Sequence, residues 1–206
     1  MQPTPTSAAA VLRLPGVLAG ALGLAIAAQL SVPVPGSPVP QSLQTLAVVV
    51  VGGALGPRRG GVAVLVYLVR GGVGLPVFAD GASGWWRLVG PTAGYLWGFV
   101  AGAAMVGWWG ARVRPRQADA GGASRGYARV APGLVVAMVA AHMATLGAGW
   151  ARLSSLVGPG EAWGQGVAPF LWGGAVKSLV GAGLLVGWWG ARGVAGADAP
   201  RDARPG

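Results

Sequence analysis

Residues 14–57 read LPGVLAGALGLAIAAQLSVPVPGSPVPQSLQTLAVVVVGGALGP, without one charged side chain. A helix crosses a bilayer core of about 30 Å in about 20 residues, so this stretch is too long for one crossing. Ser31-Val-Pro-Val-Pro-Gly-Ser-Pro-Val-Pro40 breaks it, because prolines cannot continue a helix. The stretch therefore predicts one span near 12–30, a Pro-rich loop, and a second span near 41–56. Working outward, Gly56-Pro57-Arg58-Arg59 is a basic turn, and a third span follows near 60–78, interrupted by Arg70 and Gly71-Gly72. Ala79 to Val89 reads as a loop carrying Asp80 and Arg87. A fourth, charge-free span lies near 91–111, and the Arg-rich residues 112–129 read as an exposed loop. A fifth span near 130–150 contains only His142; a short loop holds Arg152 and Glu161; a sixth span near 167–190 contains Lys177. The expected organisation is an N-terminal segment over 1–11, a six-helix transmembrane domain over 12–191 and a polar, disordered tail over 192–206. Met1 to Ala10 is polar and Pro-rich, like the start of a signal peptide, but nothing soluble follows it, so the first apolar run reads as a helix of the bundle.

Composition points the same way. Of 206 residues, 53% are hydrophobic and only 10% charged, with 39 glycines besides; the mean hydropathy is +0.59. A soluble domain carries about 25% charged residues and needs them to cover its surface. Low hydrophobicity, the mark of disorder, is absent. The class is all-α integral membrane protein. The net charge of +10 would raise nucleic acid for a soluble protein, but here the arginines punctuate apolar runs as topology signals do. No nucleic-acid partner is expected. There is no cysteine, hence no disulfide framework or thiolate metal site, and one histidine with five acids leaves little for metal or acid–base chemistry.

Six spans put both termini on one side. Arg13, Arg58, Arg59, Arg112, Arg114, Arg116, Arg125, Arg129, Arg192, Arg201 and Arg204 fall on one face, Arg87 and Arg152 on the other. The positive-inside rule makes both termini cytoplasmic in a multi-pass protein of the cell membrane. Val106-Gly-Trp-Trp-Gly-Ala-Arg112 recurs as Val186-Gly-Trp-Trp-Gly-Ala-Arg192, each ending an even-numbered span. Paired Trp before Arg reads as an interfacial lipid anchor. Small residues recur at four-residue spacing, as at Gly16/Gly20, Ala21/Ala25, Gly98/Gly102 and Gly183/Gly187. They suit close helix packing within the bundle; on the first span they also suit docking of another membrane protein.

No phosphate loop, dinucleotide fingerprint, paired-carboxylate or His-Glu-x-x-His arrangement is present, so the chain reads as no enzyme and no ATPase. Intramembrane ionisable residues cost about 2.5–3.5 kcal/mol each and default to functional hypotheses. Lys177 sits mid-span, either facing a polar cavity or snorkelling to an interface. Arg70, about two-thirds along its span, has the same two readings. His142 is either a packed, hydrogen-bonded helix residue or a ligand-binding one. Gly71-Gly-Val-Gly-Leu-Pro-Val-Phe-Ala-Asp-Gly81 with Gly90-Pro-Thr-Ala-Gly-Tyr95 is either a lid over a solute pocket or a tight structural turn.

An ordered set of motifs resembles one family. Gly56-Pro-Arg-Arg-Gly60, Tyr67-Leu68, Gly74-Leu-Pro-Val-Phe78, Gly90-Pro-Thr92 and Gly94-Tyr-Leu96 look like the BioY signature. So do Pro38-Val-Pro40 with Gln44-Thr45, and Ala162 through Phe170 with Lys177. The resemblance runs in order over about 16–190. It implies an S-component bundle of an energy-coupling-factor (ECF) transporter that captures biotin from outside. It implies a transmembrane coupling protein and two ATPase subunits as partners, or self-association where the component is solitary. Ala21 and Ala25 resemble the Ala-x-x-x-Ala patch that docks the coupling protein. Biotin enters as transported ligand, not cofactor. Phe78, Tyr67 and Tyr95 would pack its bicycle; Lys177, Asp80, Gln44 and Thr92 join them in the candidate substrate-binding set, and Arg70 is added as a second intramembrane cation where the family would place an apolar residue. One departure matters: the family pattern Pro-Gly-Asp-x-x-Lys reads Trp172-Gly173-Gly174-Ala175-Val176-Lys177, with Gly174 in the acid's place. Either Asp80 or Gln44 supplies the missing acceptor, or affinity falls, or the solute differs. The rival readings are an S component for another small carboxylate vitamin, and a non-transporting membrane docking protein.

Overall fold

A computed structural model describes residues 14–114 and 123–197. The fold is all-α. Its helices are α1 (Leu14–Gln29), α2 (Gln44–Leu55), α3 (Pro57–Gly72), α4 (Ala93–Val113), α5 (Ala123–Val157), the short α6 (Pro159–Gly166) and α7 (Leu171–Ala197). A two-stranded antiparallel ribbon, β1 (Ser31–Val32) and β2 (Gln41–Ser42), pairs Ser31 with Ser42 and Val32 with Gln41. The Pro-rich stretch is the tip of this hairpin. Single 3-10 turns occupy Ala79–Gly81, Trp85–Leu88 and Ala168–Phe170.

Helix α4 lies between α5 on one side and α2 and α3 on the other. Backbones approach closely there because the sequence removes side chains. A Cβ on Gly52 of α2 would stand 2.8 Å from the Cα and carbonyl carbon of Ala103. Gly107 of α4 lies against the Gly56-Pro57 turn, where a Cβ would come within 2.6 Å of backbone. That turn is one residue long: Gly56, at φ 84°, ends α2, and Pro57 begins α3, where its missing N–H costs nothing. One buried cluster joins Leu24, Ala28, Val48, Val64, Leu68, Leu96 and Phe99; a second joins Val49, Val106, Leu134, Met138, Leu185 and Trp189.

The outer surface is apolar. Leu18, Leu22 and Ile26 of α1, Val62, Leu65 and Val69 of α3, Val136, Val139 and Met143 of α5, and Val176, Leu179, Val180 and Leu184 of α7 are all exposed. A soluble monomer rarely shows such continuous apolar surface. Two helical stretches, Arg129–Val157 and Pro159–Arg192, are long and apolar enough to cross a membrane unaided; Leu14–Gln29 and Gln44–Leu55 are apolar but shorter.

The two Trp-Trp segments behave alike. Trp108 and Trp188 face outward, each with the guanidinium four residues on stacked over it, Arg112 at 3.3 Å and Arg192 at 4.4 Å. Trp189 is wholly buried. Gly110 lies against Trp189, Gly133 against Trp109 and Gly107 against Gly56, so Arg58, Arg59, Arg112, Arg129 and Arg192 gather at one end of the bundle. The hairpin, the segment between α3 and α4, and α6 crown the other.

Several expected boundaries move. The third span ends at Gly72 rather than 78, because Gly71-Gly72, Gly74 at φ 108° and Pro76 cannot sustain a helix. Helix α5 runs 35 residues, through Pro132, and absorbs both Arg129 and Arg152 from the expected loops. Glu161 lies in α6, and α7 continues to Ala197 into the expected tail. Residues 1–13, 115–122 and 198–206, with the N-terminal segment, Arg13, Arg116, Arg201 and Arg204, lie outside the described residues. Ala21 is 3% exposed in the cluster shared with α2, α3 and α4, and Ala25, half-buried, packs against the same cluster. The small face of α1 lets it lie close to α3, leaving Leu18, Leu22 and Ile26 outward.

Candidate substrate-binding site

At the crowned end the bundle holds a partly open cavity of about 160 Å³. One water needs about 10–15 Å³ of such space, so this one admits a small organic molecule. Its walls come from four sources: the hairpin tip (Pro38, Val39, Pro40), the start of α2 (Gln44, Thr45), the lid between α3 and α4 (Phe78, Asp80, Arg87), and the facing sides of α4, α5 and α7. The lining is mostly apolar with a few placed polar groups, as small-molecule sites are.

The lid is tied down by α1. Gln29 Nε2 donates to the Phe78 carbonyl at 3.1 Å, and Gln29 Oε1 accepts from the Gly81 N–H at 3.1 Å. Ser31 Oγ donates to Asp80 Oδ1 at 2.6 Å. Asp80 itself holds a left-handed conformation, φ 59° and ψ 30°, one that Asp tolerates better than most side chains. Behind Phe78 stands Tyr67, edge-on with ring centroids 5.4 Å apart, and Tyr67 Oη accepts from Gln44 Nε2 at 2.7 Å. Arg152 Nε donates to the Gly90 carbonyl at 3.3 Å, and its Nη2 bonds the Val89 carbonyl, which pins the far end of the lid to α5.

Lys177 crosses from α7 to the hairpin base. Its Nζ donates to the Ser42 carbonyl at 2.6 Å and to Thr45 Oγ1 at 3.3 Å. An ammonium has three N–H donors, so one remains for a ligand. Tyr95 Oη donates to the Gly166 carbonyl at 2.8 Å, which holds the end of α6 over the cavity. Tyr95→Phe therefore lowers stability by about 1 kcal/mol. The check is a thermal melt in detergent, in which the variant melts a few degrees lower while its helical signal at low temperature matches the parent's.

Of the residues singled out from sequence, Lys177, Asp80, Gln44, Tyr95, Phe78 and Thr92 line the cavity. Tyr67 stands one layer behind. Arg70 lies outside. Because α3 ends early, Arg70 is two residues from its C-terminus and exposed, its carbonyl accepting from the Leu75 N–H at 3.1 Å. Sequence reasoning did not assign Arg87, Thr145, Phe99, Leu146 or Phe170 to the lining. Arg87 carried a signal, as one of only two arginines on the sparse side; the apolar residues carried none, being indistinguishable from ordinary core.

Known proteins bear on this geometry. A "Biotin transporter BioY" of Thermotoga maritima is 43% identical over 84 residues, 41% of this chain and 48% of the relative, so the match spans about half the relative's length. A "Probable biotin transporter BioY" of Pyrococcus horikoshii is 32% identical over 146 residues, covering 71% of this chain and 76% of the relative. Among solved structures, the S-component for biotin from an ECF-type ABC transporter superposes with a TM-score of 0.73 over 90% of this chain and 94% of the other, at 20% identity, a likeness of fold. The BioY family model matches residues 4–193. A cavity closed by this lid and this hairpin, on this fold, thus sits in a chain that is a member of the BioY family.

Proposed function

We propose that the chain is a membrane-embedded S component that captures biotin from the exterior. The observation that carries the reading is the partly open cavity with apolar walls and polar groups at separate points. Biotin offers a ureido ring with two N–H donors and one carbonyl, an apolar thioether ring, and a tail ending in a carboxylate. Val39, Leu96, Phe99, Leu146 and Phe170 supply apolar wall, and Lys177 and Arg87 supply cationic donors. Arg87 Nε is buried without a hydrogen-bond partner among the described residues, and its guanidinium lies 4.6 Å from the Trp86 ring centroid. A carboxylate would satisfy it.

The apolar girdle and the arginine-rich end support a six-span bundle with both termini cytoplasmic and the lid outside. Helices α2 and α3, short for a full crossing, are joined by one residue, and the hairpin and lid complete the depth. The partners follow from the family: a transmembrane coupling protein with two ATPases, or further copies of this chain. Ala25 is half-buried and Leu22 and Ile26 beside it are exposed, so α1 remains the candidate docking helix for the coupling protein. The chain performs no chemistry on the vitamin; the family's task is binding and transport.

Competition tests this reading. Labelled biotin bound to the detergent-purified chain should be displaced by biotin and not by equal excesses of lipoate, nicotinate or pantothenate. Displacement by one of those carboxylates instead would move the assignment to another vitamin. Arg87→Ala should weaken biotin by about tenfold, the loss of one charged hydrogen bond. Binding of biotin amide, whose tail carries no charge, should be unchanged by the same substitution. Equal losses for both ligands would contradict the carboxylate role.

A further inference from the structure

We infer that His142 accepts a hydrogen bond from a ureido N–H of the bound vitamin, the acceptor role that no carboxylate on α7 fills. The inference rests on the biotin reading above and goes beyond it, to the group that selects the ring.

His142 lies on α5, lines the cavity and is only 4% exposed. Its Nδ1 is 2.9 Å from the Met138 carbonyl oxygen and 3.1 Å from Ser178 Oγ. A carbonyl oxygen has only lone pairs to offer, so the contact with Met138 requires a proton on Nδ1. Ser178 agrees, since its own hydroxyl proton is committed to the Gly174 carbonyl at 2.8 Å, leaving Oγ to accept. A neutral imidazole has one N–H. With that proton fixed on Nδ1, Nε2 carries a lone pair, and Nε2 is buried with no partner among the described residues. A buried acceptor left empty is costly, about 1–3 kcal/mol, so the site is incomplete until a donor arrives.

The location matters as much as the tautomer. A Cβ built on Gly174 would meet His142 Cβ and Cδ2 at 3.7 Å and Cγ at 3.8 Å. The imidazole therefore stands beside the position from which a side chain at 174 would project. Residue 177 lies one turn on along the same face of α7. Ligand donor and ligand acceptor thus meet complementary groups side by side: His142 Nε2 for an N–H, Lys177 Nζ for the ureido carbonyl. A Cβ at 174 would rest in ordinary van der Waals contact with the ring, so residue 174 and the imidazole share one wall of the cavity.

The chain has a single histidine, so nitrogen-15 histidine labelling of the full chain, without a histidine tag, reports one ring by magnetic resonance. In the ligand-free protein Nδ1 should be protonated and Nε2 not. Saturating biotin should shift the Nε2 signal toward the protonated position while Nδ1 keeps its proton; biotin methylated at both ureido nitrogens should leave it in place. In titrations, His142→Phe should weaken biotin by at least about tenfold. Adding Gly174→Asp to that variant should restore part of the loss. Three results would overturn the inference: a protonated Nε2 in the free chain, an Nε2 signal unmoved at biotin saturation, or a folded His142→Phe that binds biotin within about twofold of the parent. The resonance experiment uses the unaltered protein, so a variant that fails to fold does not blunt it. Saturable biotin binding with an unmoved signal removes this inference alone, whereas no biotin binding by the parent chain removes the function with it.

Discussion

Lys177→Met should reduce biotin affinity by a factor of about ten to a hundred, the largest loss of any single side chain in the cavity. Methionine keeps an unbranched apolar stem, so most of the wall area is preserved while the ammonium goes. Lys177 Nζ holds the Ser42 carbonyl and Thr45 Oγ1, and it has one N–H left over. The substitution removes a ligand donor and also loosens the junction between α7, the hairpin and α2. Both effects weaken binding, and they separate in measurement. The junction appears as a lower melting temperature without ligand. The donor appears in the titration of protein that is still folded. An affinity unchanged in folded Lys177→Met would mean that the ligand sits elsewhere.

Gly52→Val should destabilise the bundle by about 1–3 kcal/mol or more, the cost of overpacking where backbone cannot yield. A Cβ on Gly52 would sit 2.8 Å from Ala103 backbone atoms, and Gly60 of α3 closes from the other side, its own Cβ position 2.8 Å from Gly52 Cα. Flexible side chains could turn away; main chain cannot. Relief requires α2 to move off α4, and α2 carries Gln44 and Thr45 into the cavity. The expected result is a lower melting temperature together with weaker biotin binding. A Gly52→Val protein with the parent's melting temperature would contradict the close packing of these three helices.

The fold was legible wherever the sequence had to answer to lipid. Charge-free runs of about 20 residues bounded by Pro, Gly and Arg marked the long helices, because a bilayer imposes that length and that polarity. The segment after α3 was legible only as a Gly/Pro-rich stretch that fitted a lid or a tight turn; the helix stops at Gly72, which puts Arg70 at an exposed helix end rather than in mid-span. Boundaries toward water were poorly marked. Arg129 and Arg152 read as loop residues, yet α5 continues through both, because a helix that leaves the membrane keeps its hydrogen bonds and need not stop. Small residues were ambiguous in principle. Ala21 fits a docking face or a core; the packing of α1 puts it in a core cluster and leaves Ala25 half-buried.

In the cavity, Lys177 announced itself as a charge in apolar company, whereas Asp80 and Gln44 became candidates only through the family resemblance. Ser178 and His142 did not show their relation, because it depends on two helices 36 residues apart meeting at 3.1 Å. The Pro-rich tip, Pro38 to Pro40, read as a connector and proves to be a wall of the cavity. Its part follows from the Ser31–Ser42 pairing, which folds the tip back over the bundle.

A diffraction map of the chain crystallised with biotin tests the central claim most directly. Density for the vitamin should fill the space between the lid and α7, with the ureido ring beside His142 and Lys177 and the tail carboxylate at Arg87. An empty cavity in crystals grown with saturating biotin, or the vitamin bound at another surface, would contradict the account.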